Sequence, residues 1–396
     1  MRRVYGVISL TLVLLVLSAC AASTDSRPPS PTFLATAEAT ASVTTAAPAT
    51  TAATATAIAT VTTCPLPGEC PTWSPAAPAS AGPITLATVD QLSAPVDLNN
   101  FSVYALSWSA NGQRLALSSS TGIVVYAVDT WQLLFAIDMK GHPTFGLALS
   151  PDGKTLAYSP AHDPTKHVDN VVHLIDVDTS RERTALSGHE KTIWHIAFSA
   201  DGAQLATNSD DYQIWIWDLQ TEKALQKFSE QPAQADLAFS LDGESLLVTP
   251  TFGFPFVLDL KTGKVWTLGE ESKGSEPIVC VAAFSPDGHT LLVGANDHQI
   301  HVWDVAKQQE VKAWAAHEDT VDGVAFAPDG QSFASSSRDG TIKLWNAATD
   351  KLITTLAPAD PSSVEPVYNV MFSPDGRFLA ARIGKDLILR AWGRQP

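Results

Sequence analysis

Seven times in these 396 residues an aromatic residue or leucine runs into a Ser/Ala-x-Asp/Asn-Gly step, from Trp108-Ser-Ala-Asn-Gly112 to Phe372-Ser-Pro-Asp-Gly376. The copies end at Gly112, Gly153, Gly202, Gly243, Gly288, Gly330 and Gly376, at intervals of 41, 49, 41, 45, 42 and 46 residues. Each copy is embedded in the same grammar, for which Phe326-Ala-Pro-Asp-Gly330, Phe333-Ala-Ser-Ser-Ser337 and Thr341-Ile-Lys-Leu-Trp345 serve as the pattern. Short runs alternate apolar and polar residues and stop at Gly, Pro or Asp, which is how half-buried strands read. Proline presets one backbone angle of the step and glycine permits a positive one, so the step closes a tight hairpin. Each unit is therefore expected to be a small antiparallel sheet.

One such sheet cannot bury its own face, whereas several stacked around an axis can, and radial closure leaves only short edges. A period of about 40 to 45 residues fits propeller blades. The expected fold is all-β: a seven-bladed β-propeller of four-stranded antiparallel blades. The last repeat stops soon after its third strand, at Leu387-Ile-Leu-Arg390, without residues for a fourth. Residues 84–89, Ile-Thr-Leu-Ala-Thr-Val, read as a short strand and are expected to complete the last blade, locking the ring with the N-terminal end of the domain.

The repeats resemble the tryptophan-aspartate (WD) repeat family. Trp217-Asp218 and Trp303-Asp304 carry the signature dipeptide, and Trp345-Asn346 keeps its tryptophan. Gly188-His189 and Gly141-His142 supply the Gly-His pair, and Ala316-His317 keeps its histidine. The resemblance implies a buried hydrogen-bonded set of His, Ser/Thr, Asp and Trp, complete in two blades: His189, Thr207, Asp211 and Trp217 in the third, His317, Ser335, Asp339 and Trp345 in the sixth. These residues are expected to be structural, since a buried polar network helps only when every member is satisfied. Elsewhere Tyr126, Ile175, Leu258 and Arg390 stand in the tryptophan's place, and apolar packing is expected to replace the network. The resemblance implies a binding scaffold and names no ligand.

Ahead of the repeats, Arg2 and Arg3 precede an apolar stretch at residues 7–17, too short for a comfortable membrane span. It ends in Leu17-Ser-Ala-Cys20, which resembles a bacterial lipobox. The expected organisation is a signal peptide at 1–19, a lipidated Cys20 opening a disordered Ala/Thr/Pro-rich linker at 20–82, and the propeller at 83–396. Two acyl chains hold a soluble domain firmly on a bilayer, and a coil of about 60 residues reaches roughly 40–45 Å. The implied location is the extracytoplasmic cell envelope. That compartment permits a disulfide between Cys64 and Cys70, which flank Pro-Leu-Pro-Gly-Glu. Loss of Arg2 and Arg3 with the signal leaves 23 basic against 41 acidic residues, a formal −18. Lysines and arginines are not clustered, which disfavours nucleic acid as a partner.

Catalytic motifs are missing: the chain has no Gly-x-Ser-x-Gly elbow, no His-Glu-x-x-His helix and no phosphate-binding glycine loop. No enzyme activity and no cofactor are expected. His162, His167 and His173, with Asp163 and Asp169, mark a long connection in the second repeat, but their spacing follows no tight metal rule. A metal-assisted lyase or hydrolase built on that loop is one alternative. The stronger lead comes from the position four residues before the recurring aromatic or leucine, occupied in turn by Tyr104, Phe145, Trp194, Ala235, Cys280, Asp322 and Tyr368. The resemblance implies that this position faces the top of the central channel, where Tyr368, Tyr104, Phe145 and Trp194 would form an aromatic arc with Asp322, Asp210 and Arg338 as polar neighbours. Clustered exposed aromatics anchor binding patches. The expectation is a monomeric, membrane-anchored scaffold binding a protein or peptide on its top face; a glycan- or small-solute-binding lipoprotein is the other alternative.

Overall fold

The Ser-x-Asp-Gly steps build the architecture from the bottom. In Ser150-Pro-Asp-Gly153 the Gly153 amide donates to the Ser150 carbonyl at 2.8 Å, while Ser150 Oγ donates to Asp152 Oδ1 at 2.6 Å. Asp152 Oδ1 also accepts from the Lys154 amide at 3.0 Å, and Ser150 Oγ accepts from the Thr155 amide at 2.9 Å. All seven turn glycines have φ between +66° and +74°, the left-handed region in which a Cβ is penalised. This is the type I turn with a left-handed residue that joins antiparallel strands.

A computed structural model describes residues 96–97, 103–119, 122–139, 144–160, 170–229, 231–251, 253–268, 279–356, 365–383 and 388–393. Among the described residues there are 28 strands and no helix, in seven four-stranded antiparallel sheets. Six sheets are simple meanders, as in Val321–Phe326, Ser332–Ser337, Ile342–Asn346 and Leu352–Leu356. Burial peaks at the second strand of each blade and falls toward the outer strand. The second strand Ser332–Ser337 is buried throughout because neighbouring blades cover both its faces, whereas the outer strand Gln309–Ala315 is almost wholly exposed.

Seven hydrophobic clusters join seven pairs of adjacent blades. The cluster joining the last blade to the first holds Leu115, Tyr126 and Trp131 against Phe378 and Ala380. There Phe378 stacks on Trp108 at 6.3 Å and meets Trp131 edge-on at 6.0 Å, while Arg377 Nη1 pairs with Asp129 Oδ1 at 2.7 Å. The ring therefore joins end to end.

The N-terminal strand does complete the last blade, but at a different place from the one expected. Val96–Asp97 pairs with Ile388–Gly393, Val96 opposite Ala391 and Asp97 opposite Arg390; residues 84–89 lie outside the described residues. Five residues separate Asp97 from Val103, the same interval that separates Ala315 from Val321 and Ser187 from Ile193. The closing strand thus keeps the ordinary outer-to-inner connection. A second correction concerns the seventh blade's third strand. Leu379 pairs with Trp392, as Phe333 pairs with Trp345, so Trp392 and not Arg390 holds the tryptophan position. The interval is 13 residues there against 12 in the sixth blade, so the sixth blade's spacing reaches Ala391 and Arg390 falls two residues short. Tyr126, Ile175 and Leu258, in the corresponding places of other blades, are fully buried.

Cys20, Cys64 and Cys70, the segments 1–19 and 20–82, and His162, Asp163, His167 and Asp169 also lie outside the described residues.

Candidate functional site

Each propeller blade begins with a strand along the central channel, and the way that strand pairs decides which side chains reach the rim. In six blades its register against the second strand slips once, between Val103 and Ala105, Thr144 and Gly146, Ile193 and His195, Val279 and Val281, Val321 and Gly323, and Val367 and Asn369. The skipped residues are Tyr104, Phe145, Trp194, Cys280, Asp322 and Tyr368. Each is the extra residue of a β-bulge, which at Tyr104, Phe145, Trp194, Asp322 and Tyr368 turns the side chain away from the regular alternation. The fourth blade, with Ala235 there, pairs without a break.

Tyr104, Phe145, Trp194 and Tyr368 all line one cavity of about 710 Å³ that runs along the channel. Tyr104 meets Phe145 edge-on with centroids 5.6 Å apart, and Phe145 meets Trp194 at 4.8 Å and 34°. Aromatic pairs prefer such offset or tilted contacts. Tyr368 lies under the Arg382 guanidinium, whose central carbon is 5.1 Å from the ring centroid. Asp322, 8% exposed, accepts from Arg338 Nε at 2.7 Å. Burial pushes the Asp322 carboxyl up, against the pull of that arginine. Asp210 is half-buried at the end of the third blade's second strand, where its backbone amide donates to the Thr192 carbonyl at 2.9 Å.

Three side chains of this channel escaped the sequence reading. His195 Nε2 pairs with Asp236 Oδ1 at 2.7 Å across the third and fourth blades. Desolvation by the channel walls would depress the His195 pKa, but the Asp236 carboxylate outweighs it and the net direction is upward; His195 pulls the Asp236 pKa down in return, and both side chains stay open to the channel, 36% and 63% exposed. Arg382 is the third, and burial lowers its pKa to about 10 despite Tyr368, Asp236 and Asp322 nearby. Arg382 Nε and Nη2 and the Trp194 indole nitrogen are buried without a hydrogen-bond partner. Aligning the strand positions that follow the rim position, or those opposite them on the second strand, would have exposed these residues.

The two polar tetrads lie away from the channel, within their blades. His189 Nδ1 is 2.7 Å from Asp211 Oδ2 and Nε2 is 2.8 Å from Thr207 Oγ1, which also accepts from Trp217 Nε1 at 3.0 Å. In the sixth blade the distances are 2.9 Å from His317 Nδ1 to Asp339, 2.7 Å from Nε2 to Ser335 Oγ and 2.8 Å from Trp345 Nε1 to Ser335 Oγ. A carboxylate can only accept, so each histidine donates from Nδ1 and takes the hydroxyl proton at Nε2. Burial depresses both histidine pKa values, although the neighbouring aspartates oppose it. Each histidine nitrogen, hydroxyl and indole N–H of the two tetrads has a partner within its tetrad, so the tetrads hold structure and offer nothing to a ligand.

His173 is occupied too: its Nδ1 sits 2.8 Å from Glu182 Oε1 and its ring stacks on Tyr158 at 5.0 Å. Among the described residues no three His, Cys, Asp or Glu side chains group as cation ligands, and no helix is long and apolar enough to cross a membrane.

Sequence comparison agrees with this geometry. The family model described as WD domain, G-beta repeat matches residues 180–218, 264–304 and 308–346, in the third, fifth and sixth blades. Among curated proteins, a WD repeat-containing protein SL1-17 of Schistosoma mansoni is 28% identical over 212 residues, covering 51% of this chain and 66% of the relative. The target of rapamycin complex subunit wat1 of Schizosaccharomyces pombe is 30% identical over 174 residues, 41% of this chain and 49% of the relative. A guanine nucleotide-binding protein subunit beta of Solanum tuberosum is 29% identical over 131 residues, 31% and 35%. The chain thus spans less than two thirds of the length of each, and together the matches support a WD-repeat family.

Proposed function

We propose that this WD-repeat propeller is a non-catalytic scaffold of the bacterial cell envelope that docks a protein or peptide partner on the rim of its channel. The observation that carries the reading is the set of β-bulges, six in seven blades, that turn the rim side chains out of the sheet. Bulges cost ladder hydrogen bonds and are found where a side chain has to be re-aimed. Here they present Tyr104, Phe145, Trp194 and Tyr368, with Asp322 and Arg338 beside them and Asp210 as an outlying polar contact.

The rim rests on a closed ring of seven packed interfaces, so a partner would meet a preformed surface, and affinity would come from burying aromatic area with little ordering cost. Two of the relatives are by name subunits of larger assemblies, which supports a docking role. Anchoring rests on the sequence alone: a signal at 1–19, a lipid on Cys20, and the linker at 20–82 as a tether for a monomeric propeller at 83–396, with a Cys64–Cys70 loop in the tether.

The test is partner capture by the Trp194→Ala, Tyr368→Ala double variant from envelope extracts. Loss of at least tenfold in the captured partner is expected. Undiminished capture by a folded double variant refutes the rim as the docking face.

A further inference from the structure

Opposite the residue that follows each rim position, six blades place a small residue on the second strand: Ser118, Ser159, Asn208, Thr249, Gly294 and Ser336. The reason is contact with the next blade. A Cβ on Gly294 would lie 2.7 Å from Val321 Cγ1, and in other blades a small polar side chain reaches the neighbouring blade. Ser118 Oγ donates to the Thr144 carbonyl at 2.7 Å, and Asn208 Nδ2 donates to the Pro232 carbonyl at 2.7 Å. The seventh blade breaks the rule with Arg382, opposite Asn369.

This arginine makes no tie between blades. It lies over Tyr368 and lines the channel, with Nε and Nη2 buried and unpartnered. The two acids that act on it electrostatically, Asp322 and Asp236, are already paired with Arg338 and His195. Trp194, another lining residue, also keeps a buried indole N–H without an acceptor. The channel therefore holds buried donors that no acceptor meets, and a cation left without a paired carboxylate in a chain of formal charge −16. Leaving buried donors unpaired is costly, and a ligand supplying acceptors would recover that cost.

The charge and shape of that ligand follow. A planar guanidinium matches a carboxylate in two parallel hydrogen bonds. Asp322 and Asp236 would repel a doubly charged anion, which favours one negative charge over two. Tyr104, Phe145 and Trp194 offer ring surface to an apolar body, and about 710 Å³ lies in the usual range for small-ligand cavities. We infer that the channel is a binding site for a singly charged carboxylate on an aromatic or aliphatic body, with the charge on Arg382 and the body against the aromatic arc. The inference deepens the docking reading and rests on it, since the rim is the face by which such a group enters. A free organic acid and the carboxyl terminus of a peptide share this chemistry.

The test is calorimetry on the full-length chain with four titrants: N-acetylphenylalanine, its carboxamide, a hexapeptide ending in phenylalanine with a free carboxyl group, and inorganic phosphate. Saturable binding is expected for at least one of the carboxylates, at least tenfold weaker for the carboxamide, with no competition from phosphate. Arg382→Ser, which installs the residue of three other blades, should weaken the acid at least tenfold and leave the carboxamide unchanged. Arg382→Gln, which keeps the stem, should do the same and serves if the serine variant unfolds. A tighter peptide assigns the site to a carboxyl terminus and a tighter small acid to a free solute; both support the site. No saturable binding of either carboxylate, equal binding of acid and carboxamide, or undiminished binding by folded arginine variants overturns it. Partner capture separates this failure from that of the docking reading: if capture still depends on Trp194 and Tyr368 while no carboxylate binds, only the carboxylate site falls.

Discussion

Removing the Ser335 hydroxyl should cost far more than a single small side chain suggests. Ser335 is fully buried, and its Oγ both accepts from Trp345 Nε1 at 2.8 Å and donates to His317 Nε2 at 2.7 Å. Ser335→Ala leaves an indole N–H and an imidazole lone pair without partners in a site closed to water. At about 1–3 kcal/mol for each stranded group, the loss is roughly 2–4 kcal/mol after partial relaxation, a fall on the order of 5–10 °C in midpoint temperature. Ser335→Thr keeps the hydroxyl and copies Thr207, which holds the same partners in the third blade, so it should lose less than half as much. Urea unfolding followed by tryptophan fluorescence measures both. A Ser335→Ala protein within about 0.5 kcal/mol of the parent would refute the claim that the tetrad is a satisfied network.

Other expectations follow from the same reasoning. His317 has a pKa lowered in the fold by burial, so the folded state binds fewer protons and the tetrad's contribution is present above about pH 6.5 and lost as pH falls through the folded value. The stability lost in His317→Gln should therefore be larger at pH 8 than at pH 5. His195 has the opposite sign: its raised pKa makes its contribution present below about pH 6.5 and lost as pH rises through the folded value, so His195→Asn should be costlier at pH 5.5 than at pH 8. Phe378 is 3% exposed at the seam between the last and first blades, and Phe378→Ala should cost about 3–5 kcal/mol, read by denaturant midpoint. Cys20→Ser should abolish metabolic labelling with a fatty acid and release the protein from the membrane fraction; unchanged fractionation contradicts the lipid anchor.

The fold was readable where chemistry repeats locally. A Ser-x-Asp-Gly turn needs only four consecutive residues, and seven copies state the blade count. Each tetrad draws its members from a single repeat, so the spacing from His317 to Trp345 was enough to identify the sixth blade's set. Legibility ended where an element departs from the repeat it belongs to. The closing strand at Val96–Asp97 is two residues long, too short to show an alternating pattern, and the five-residue step to Val103 is what marks it. Arg390 was put in the tryptophan position two residues too early: the last blade spends one more residue before its third strand than the sixth, whose spacing by itself points to Ala391.

The channel shows the same division. The rim positions were found by counting back from each turn, since the bulge in six of the seven inner strands falls at the rim position itself and leaves the count intact. His195 and Asp236 each follow their blade's rim position and Arg382 lies opposite the same position in a third blade, so the repeat places them, but their meeting depends on ring closure and not on local spacing. Arg382 is nonetheless visible as the one large residue in a column of Ser, Ser, Asn, Thr, Gly and Ser, once second strands are aligned.

Site-specific photocrosslinking puts the central claim to its most direct test. Benzoylphenylalanine at Phe145 or Tyr368 probes the rim, and the same group at Val311, which is 52% exposed on an outer strand, probes the side of the ring. The account predicts one discrete adduct in cells from both rim positions and none from Val311. Adducts from Val311 with none from the rim would contradict it.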